Sequence, residues 1–468
     1  MLAKIQPSTR TTSQSANGLG YGPWFSVWVL TFGLGYRTAH VNADFSVHPT
    51  EALIWFLAAF EILTGAWSVR NSRDGIPMWI LGAVPFWIWA WLVRVDSGMP
   101  EWYAALSECL NVVSIVPLFV AAASALTGRQ SWLDATRAFF VAGAWIAFTG
   151  VVEHLIPASS RLIPGFTSNS AALLTQEGFA RAPFSMWGGP NATFICVLSL
   201  PFGPLIFRSR ASVSFRVLVA SVCALQVYAV YIGGYRSMWA VVVAQSVFWL
   251  MLRSSSRAAL VVLVCGIMGF QFTNSGSEAR SVGEMRAESL VLALQGNPID
   301  TSARTRLDLA SDAWAFAIAA PEGHGWGASG WVHSDLIQIA ANQGIAAAAL
   351  LVCALIGTFV RLYRNAWRQP EGEWKELGVG LFVAMIAATA MLAGEGVEVL
   401  PQMALPVWLV WVMSEIWIRQ SGERRPLYER LPHLSTPPDV QLRRHGSRDT
   451  GIREGCVRDP SSRFIQYR

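Results

Sequence analysis

Long apolar runs separated by short polar links dominate the chain. Twelve such runs occupy residues 24–36, 52–69, 76–93, 102–126, 138–155, 192–207, 217–232, 238–252, 258–272, 336–360, 377–393 and 397–418. A membrane-crossing helix takes about 20 apolar residues, and most runs approach that length without alternating. A membrane β-barrel would show alternating strands of about 10 residues instead. The predicted fold class is all-α: a polytopic integral membrane protein with about 12 transmembrane helices, the spanning domain covering 24–418.

Composition sharpens this picture. Of 468 residues, 53% are hydrophobic and only 14% charged, whereas soluble chains carry about a quarter charged residues. That excludes a soluble enzyme, a disordered chain and a fibrous repeat. Cys109, Cys196, Cys223, Cys265 and Cys353 fall inside apolar runs and Cys456 in a polar tail. With no CxxC and no Cys/His cluster, neither a zinc site nor a redox pair is indicated. Residues 1–23 are polar and lack the apolar core of a signal peptide, which predicts a cytoplasmic N-terminal segment.

The formal charge of +5 matters less than its placement. With Lys4 and Arg10 inside and the spans alternating, the inner loops hold Arg70, Arg73, Arg129, Arg137, Arg208, Arg210, Arg216, Arg253, Arg257, Arg361, Arg364, Arg368 and Lys375. The tail 419–468 adds eleven more arginines, so 26 of the 35 Lys and Arg residues fall on one side. This is the bias of cytoplasmic loops, and it predicts that both termini lie in the cytoplasm. The tail reads as a basic, disordered extension near anionic headgroups. Basic residues beside a last span are ordinary, so they do not imply nucleic acid.

Three outer segments stand apart: 156–189, 273–331, which is too long for a mere connector, and the short link around Glu395. Arg236 opens the eighth span on the side poor in cations, either as an interfacial anchor or as a fork gripping an anion. The stretch from Arg306 to Ala320 has apolar residues at helical spacing and predicts a short amphipathic helix on the outer leaflet. Arg304 and Arg306 fall at its start, where free N–H groups also favour anions. Gly323, Gly325 and Gly327 then permit a tight, close-approach turn. His333, with Ser334 and Asp335, stands at the mouth of the tenth span, as a polar cap or as a proton acceptor for a hydroxyl. His324 and His154 are weaker candidates for the same role. No Walker A pattern, Asp-x-Asp or GxSxG elbow occurs.

The order of these elements resembles the O-antigen ligase and polysaccharide polymerase superfamily of bacterial inner membranes. They are "SMWGGPNATF" with Gly189, Pro190 and Asn191, "YRSMW" with Arg236, "RLDLASDAWAFAIAAP" from Arg306 to Pro321, and "HSDLIQIAANQG" from His333 to Gly344. The chain departs from the family pattern at Tyr235, Ser334 and Ala310. The resemblance implies metal-independent transfer of a preassembled glycan from undecaprenyl diphosphate to an acceptor at the periplasmic face. No cofactor is expected. His333, Arg236 and Arg306 would be catalytic, and Arg304, Asn191, Ser334, Gly325 and Gly327 would bind substrate. The partners would be the lipid-linked donor, a lipid A-core or growing-glycan acceptor, and membrane lipids, with no nucleic acid.

Ligation and chain polymerisation share that donor, and transfer to a protein is a third form. The rival from another class is a small-anion transporter, for which Glu61 and Glu108 inside spans and Arg236 near an end would speak.

Overall fold

The computed structural model describes residues 21–34, 39–40, 46–47, 49–64, 76–97, 102–156, 191–208, 212–233, 236–252, 301–329, 332, 334–394 and 401–423. The expected span at 258–272, most of the 156–189 loop, residues 273–300 and the tail beyond 423 lie outside the described residues.

The described chain is helical apart from a two-residue antiparallel pairing of β1 (Ala39–His40) with β2 (Ser46–Val47). In order the helices are α1 (Tyr21–Leu30), α2 (Pro49–Leu63), α3 (Met78–Asp96), α4 (Trp102–Val113), α5 (Ile115–Ala125), α6 (Arg129–Leu155), α7 (Asn191–Ser199) and α8 (Gly203–Arg208). Then follow α9 (Val213–Gly233), α10 (Arg236–Leu252), α11 (Thr301–Ala319), α12 (Asp335–Gln343), α13 (Ile345–Arg368), α14 (Glu373–Gly394) and α15 (Pro401–Glu423).

Among the described residues, six helical segments are long and apolar enough to cross a membrane. They are Met78–Asp96, Ala105–Ala125, Arg129–Leu155, Val213–Gly233, Ile345–Arg368 and Glu373–Gly394. The stretches Ala192–Ile206 and Ser237–Trp249 are apolar but shorter. Helix α3 shows what these segments demand of their surroundings. Ile80, Trp87 and Ala90 face the protein, while Leu81, Ile88, Leu92 and Val95 form an exposed apolar stripe on the other side. A helix apolar all round suits lipid, not water.

The centre of the bundle is α14 and α15; in α15 every residue from Ala404 to Ile418 is buried. Helix α14 packs on α10, α13 and α15, and α6 packs on α1, α7 and α9. Buried polar side chains cross-link the helices. Gln245 Nε2 donates to the Val197 carbonyl at 3.1 Å and to the Val383 carbonyl at 3.3 Å, joining α10 to α7 and α14. The Glu415 carboxylate of α15 accepts from Thr358 Oγ1 and from Arg361 Nη2 of α13.

Two expected continuous spans are broken. The run 102–126 is two helices meeting at Ser114, whose Oγ donates to the Asn111 carbonyl at 2.7 Å; Pro117, three residues on, has no N–H to continue the ladder. The run 336–360 breaks at Gly344, which has φ 101° and so cannot extend a right-handed helix. The first run begins earlier than expected, at Tyr21, and α1 closes in a 3-10 turn at Thr31–Leu34.

Residues that the charge bias assigns to one side do meet at one end of the bundle. At the basic end Tyr21 Oη lies 3.0 Å from Thr64 Oγ1, and Arg129 Nε donates to Glu373 at 2.9 Å. There too, Trp132 Nε1 reaches Gln420 and Trp374 Nε1 reaches Ser421. The opposite end gathers the last turns of α3, the first turns of α4, the loop 320–329 and α12.

The α14–α15 contact yields a stability prediction. A Cβ on Gly378 would run into the ring of fully buried Trp417, whereas one on Gly357 would meet nothing within 4 Å. Gly378→Ala should therefore destabilise the bundle by about 1–3 kcal/mol, the usual cost of overpacking, while Gly357→Ala should not. Thermal unfolding in detergent, followed by tryptophan fluorescence, distinguishes the two; equal melting temperatures would refute the packing argument.

Candidate functional site

The loop between α11 and α12 has its shape from proline and glycine. Helix α11 stops just before Pro321, which cannot continue it. Helix α12 starts from Ser334, extended at φ −156° and ψ 111°, whose carbonyl accepts the Gln338 N–H at 2.9 Å. Asp335 in its first turn suits the positive end of the helix. Both helices run into one junction, where Ile345 N–H donates to the Pro321 carbonyl at 2.9 Å, and the two pack on each other.

The loop 320–329 lies directly on its neighbours. His324 N–H and Gly325 N–H donate to the carbonyls of Ala341 and Asn342, each at 2.9 Å. A Cβ on Gly323 would stand 2.6 Å from Gly344 N, and one on Gly325 would stand 2.9 Å from Arg94 N. Both glycines also have positive φ, 95° and 93°. The close approach that these glycines permit is thus made to the chain's own backbone. Gly327, at φ 72°, lies against Ala105. Trp326 locks the loop to α3, its Nε1 donating to the Trp87 carbonyl at 3.1 Å, and Trp89 Nε1 returns a bond to the Glu322 carbonyl at 3.0 Å.

Beneath the loop sits Glu108 of α4, buried. Its Oε1 accepts from Asn342 Nδ2 at 2.7 Å and from Gln338 Nε2 at 3.2 Å. The Gly327 N–H also donates to the carboxylate, and the Arg94 guanidinium, buried in α3, supplies opposite charge nearby. The amide oxygens face the other way. Asn342 Oδ1 accepts the Ser329 N–H at 2.9 Å, and Gln338 Oε1 accepts the Val332 N–H at 3.4 Å.

The residues singled out from sequence are distributed as follows. Arg306 is half-buried in the second turn of α11, because the helix begins at Thr301 rather than at Arg306. The free first-turn N–H groups therefore belong to residues 301–304, and Arg304 stands among them. Ser334 is buried at the start of α12, and Gly325 and Gly327 lie in the loop beside it. Asn191 opens α7 and Arg236 opens α10, helices that pack on each other. The side chains of Asn191, Arg236 and Arg304, and the whole of His333, lie outside the described residues.

His324 is engaged. Its ring stacks on Phe316 with centroids 3.6 Å apart, and its Nε2 lies 2.8 Å from the Phe316 carbonyl. A carbonyl only accepts, so Nε2 carries the proton and cannot take another. His154 ends α6, away from the main packing partners of α11 and α12. Among the described residues no three His, Cys, Asp or Glu side chains come together to hold a metal ion.

Arg94, Gln338 and Asn342 escaped the reading of the sequence. The last two sit four apart on one face of α12, a polar stripe in an apolar run that needed a buried partner. Compared with models of protein families and with curated protein sequences, the chain matches none.

The loop geometry is open to test. Gly325→Ala forces a side chain onto positive φ and against Arg94, a strain of roughly 1–3 kcal/mol. Hydrogen exchange across 320–329 should quicken by about tenfold or more, since each 1.4 kcal/mol is tenfold in an opening equilibrium. Unchanged exchange there would mean that the loop does not depend on this contact.

Proposed function

We propose that the chain is a metal-independent inner-membrane glycosyltransferase, twelve-spanning with both termini in the cytoplasm. It would move a preassembled glycan from undecaprenyl diphosphate to an acceptor sugar at the periplasmic face, in the manner of an O-antigen ligase. One observation carries the reading. Helices α11 and α12 end in the same junction and pack on each other, so their opposite ends, bearing Arg304 and Arg306 on one and Ser334 beside His333 on the other, arise from one frame. This frame supports a site in which fixed cations and a proton acceptor work on one substrate.

In the proposed reaction the acceptor hydroxyl oxygen attacks the anomeric carbon. The bond from that carbon to the diphosphate oxygen breaks, and the hydroxyl proton passes to His333. The departing diphosphate gains negative charge, which Arg236 and Arg306 offset, with Arg304 near; such preorganised charge is usually the largest catalytic contribution. Arginine keeps its charge at any working pH and grips phosphate oxygens in pairs. The anion-transporter alternative loses one of its supports, because Glu108 is already engaged by Gln338, Asn342 and Gly327.

A transfer assay with purified protein and lipid-linked donor tests this. His333→Ala should lower turnover by about 10²–10⁴-fold, the usual share of a general base, with donor affinity retained. Arg236→Lys should lose most activity although the charge remains. A histidine variant at wild-type rate would remove His333 from the mechanism. A gene deletion that leaves the surface polysaccharide unchanged would refute the glycosyltransferase reading.

A further inference from the structure

We infer that Glu108 is a positioning residue that sets the placement of the backbone on both sides of position 333, acting through Gln338 and Asn342. This rests on the proposed reaction only for its catalytic consequence; the structural part stands by itself.

The three side chains differ in what they can donate and accept. An ionised carboxylate only accepts hydrogen bonds, whereas a side-chain amide has one donating end and one accepting end. Glu108 takes the NH₂ end of Asn342 at 2.7 Å and the NH₂ end of Gln338 at 3.2 Å. Each amide is thereby left with its oxygen pointing away. Those oxygens accept the Ser329 N–H at 2.9 Å and the Val332 N–H at 3.4 Å. The Gly327 N–H donates to the carboxylate itself. One acceptor therefore orders three backbone N–H groups, at 327, 329 and 332, and Ser334 follows at once as the buried start of α12. At Ser329 and Val332 these bonds, together with the Trp326 lock, hold the described backbone.

Both amides bond to the same oxygen, Oε1, which a glutamine would keep as its carbonyl, so the informative change is one that removes the acceptor. A leucine in place of Glu108 keeps roughly the size and leaves the NH₂ ends of Gln338 and Asn342 without it. An amide that turns to seek another acceptor then aims its NH₂ at the Ser329 or Val332 N–H, and a buried donor left unsatisfied is costly.

The experiment is amide hydrogen exchange, resolved to single residues by fragmentation, on the full chain in lipid nanodiscs. In the wild type the Ser329 and Val332 amides should exchange far more slowly than unstructured chain; exchange at coil rate there overturns the proposal whatever any variant does. In Glu108→Leu both amides should speed up by roughly tenfold, the size of one lost hydrogen bond, while α6 and α14 keep their protection. A folded variant with unchanged exchange at 329 and 332 also overturns it. In the transfer assay Glu108→Leu should reduce kcat with donor KM nearly constant, because the carboxylate orders the backbone on both sides of position 333 and does not meet the donor. A loss confined to KM would overturn the positioning role. If the wild type transfers no glycan while the two amides respond as stated, the proposed reaction fails and the positioning by Glu108 remains.

Discussion

A carboxylate enclosed by apolar helices is cut off from bulk solvent, and the end of the bundle opposite the basic one is organised around the donors it needs. Leaving such a group without donors costs several kcal/mol, so the fold must bring N–H groups to Glu108 from wherever the chain can supply them. It draws them from α12 and from the glycine loop, with Arg94 of α3 for charge. The tight lie of the loop follows. Gly323 and Gly325 must be glycines because the donors reach the carboxylate only if the backbone of the loop rests on the backbones of α3 and α12. Trp326 and Trp89 then close the remaining gaps with indole N–H bonds to main-chain carbonyls.

Much of the helical layout is legible in the run lengths, because a bilayer-length apolar stretch has only one way to satisfy its own backbone. Contacts such as Arg129 with Glu373 or Trp374 with Ser421 join residues that the clustering of arginines assigns to one side. Interruptions inside runs are not legible this way. A hydropathy window averages over Ser114 and over the short polar stretch Asn342–Gly344, and only the positive φ of Gly344 shows where the chain turns. Burial is equally hidden. The final run looks like any other in composition, yet α15 is enclosed throughout from Ala404 to Ile418, because neighbours, not composition, decide which helix lies at the centre.

The candidate site was legible in part. Arg306, Ser334, Gly325 and Gly327 announce themselves as polar or flexible residues on the side poor in cations. The partners of Glu108 do not, since an amide in an apolar helix looks the same whether it faces a carboxylate or a neighbouring carbonyl. Gln245, which holds carbonyls of α7 and α14, and Gln338, which holds a carboxylate, cannot be told apart by pattern alone. His324 shows the converse. Its position beside the glycines suggests chemistry, and its stacked ring and bound Nε2 give it a structural task instead.

The distance along the chain between Glu108 and its amide partners has a consequence for biogenesis. Gln338 follows Glu108 by 230 positions and Asn342 by 234. At a synthesis rate of about 5–20 residues per second, the helix bearing Glu108 would leave the ribosome roughly 10–50 seconds before either amide exists. Through that interval Arg94, made only moments earlier, is the charge available to accompany the acid. Of the partners of Glu108, the charge precedes it along the chain and the amides follow, so the hydrogen-bonded arrangement is complete only once the later helices arrive.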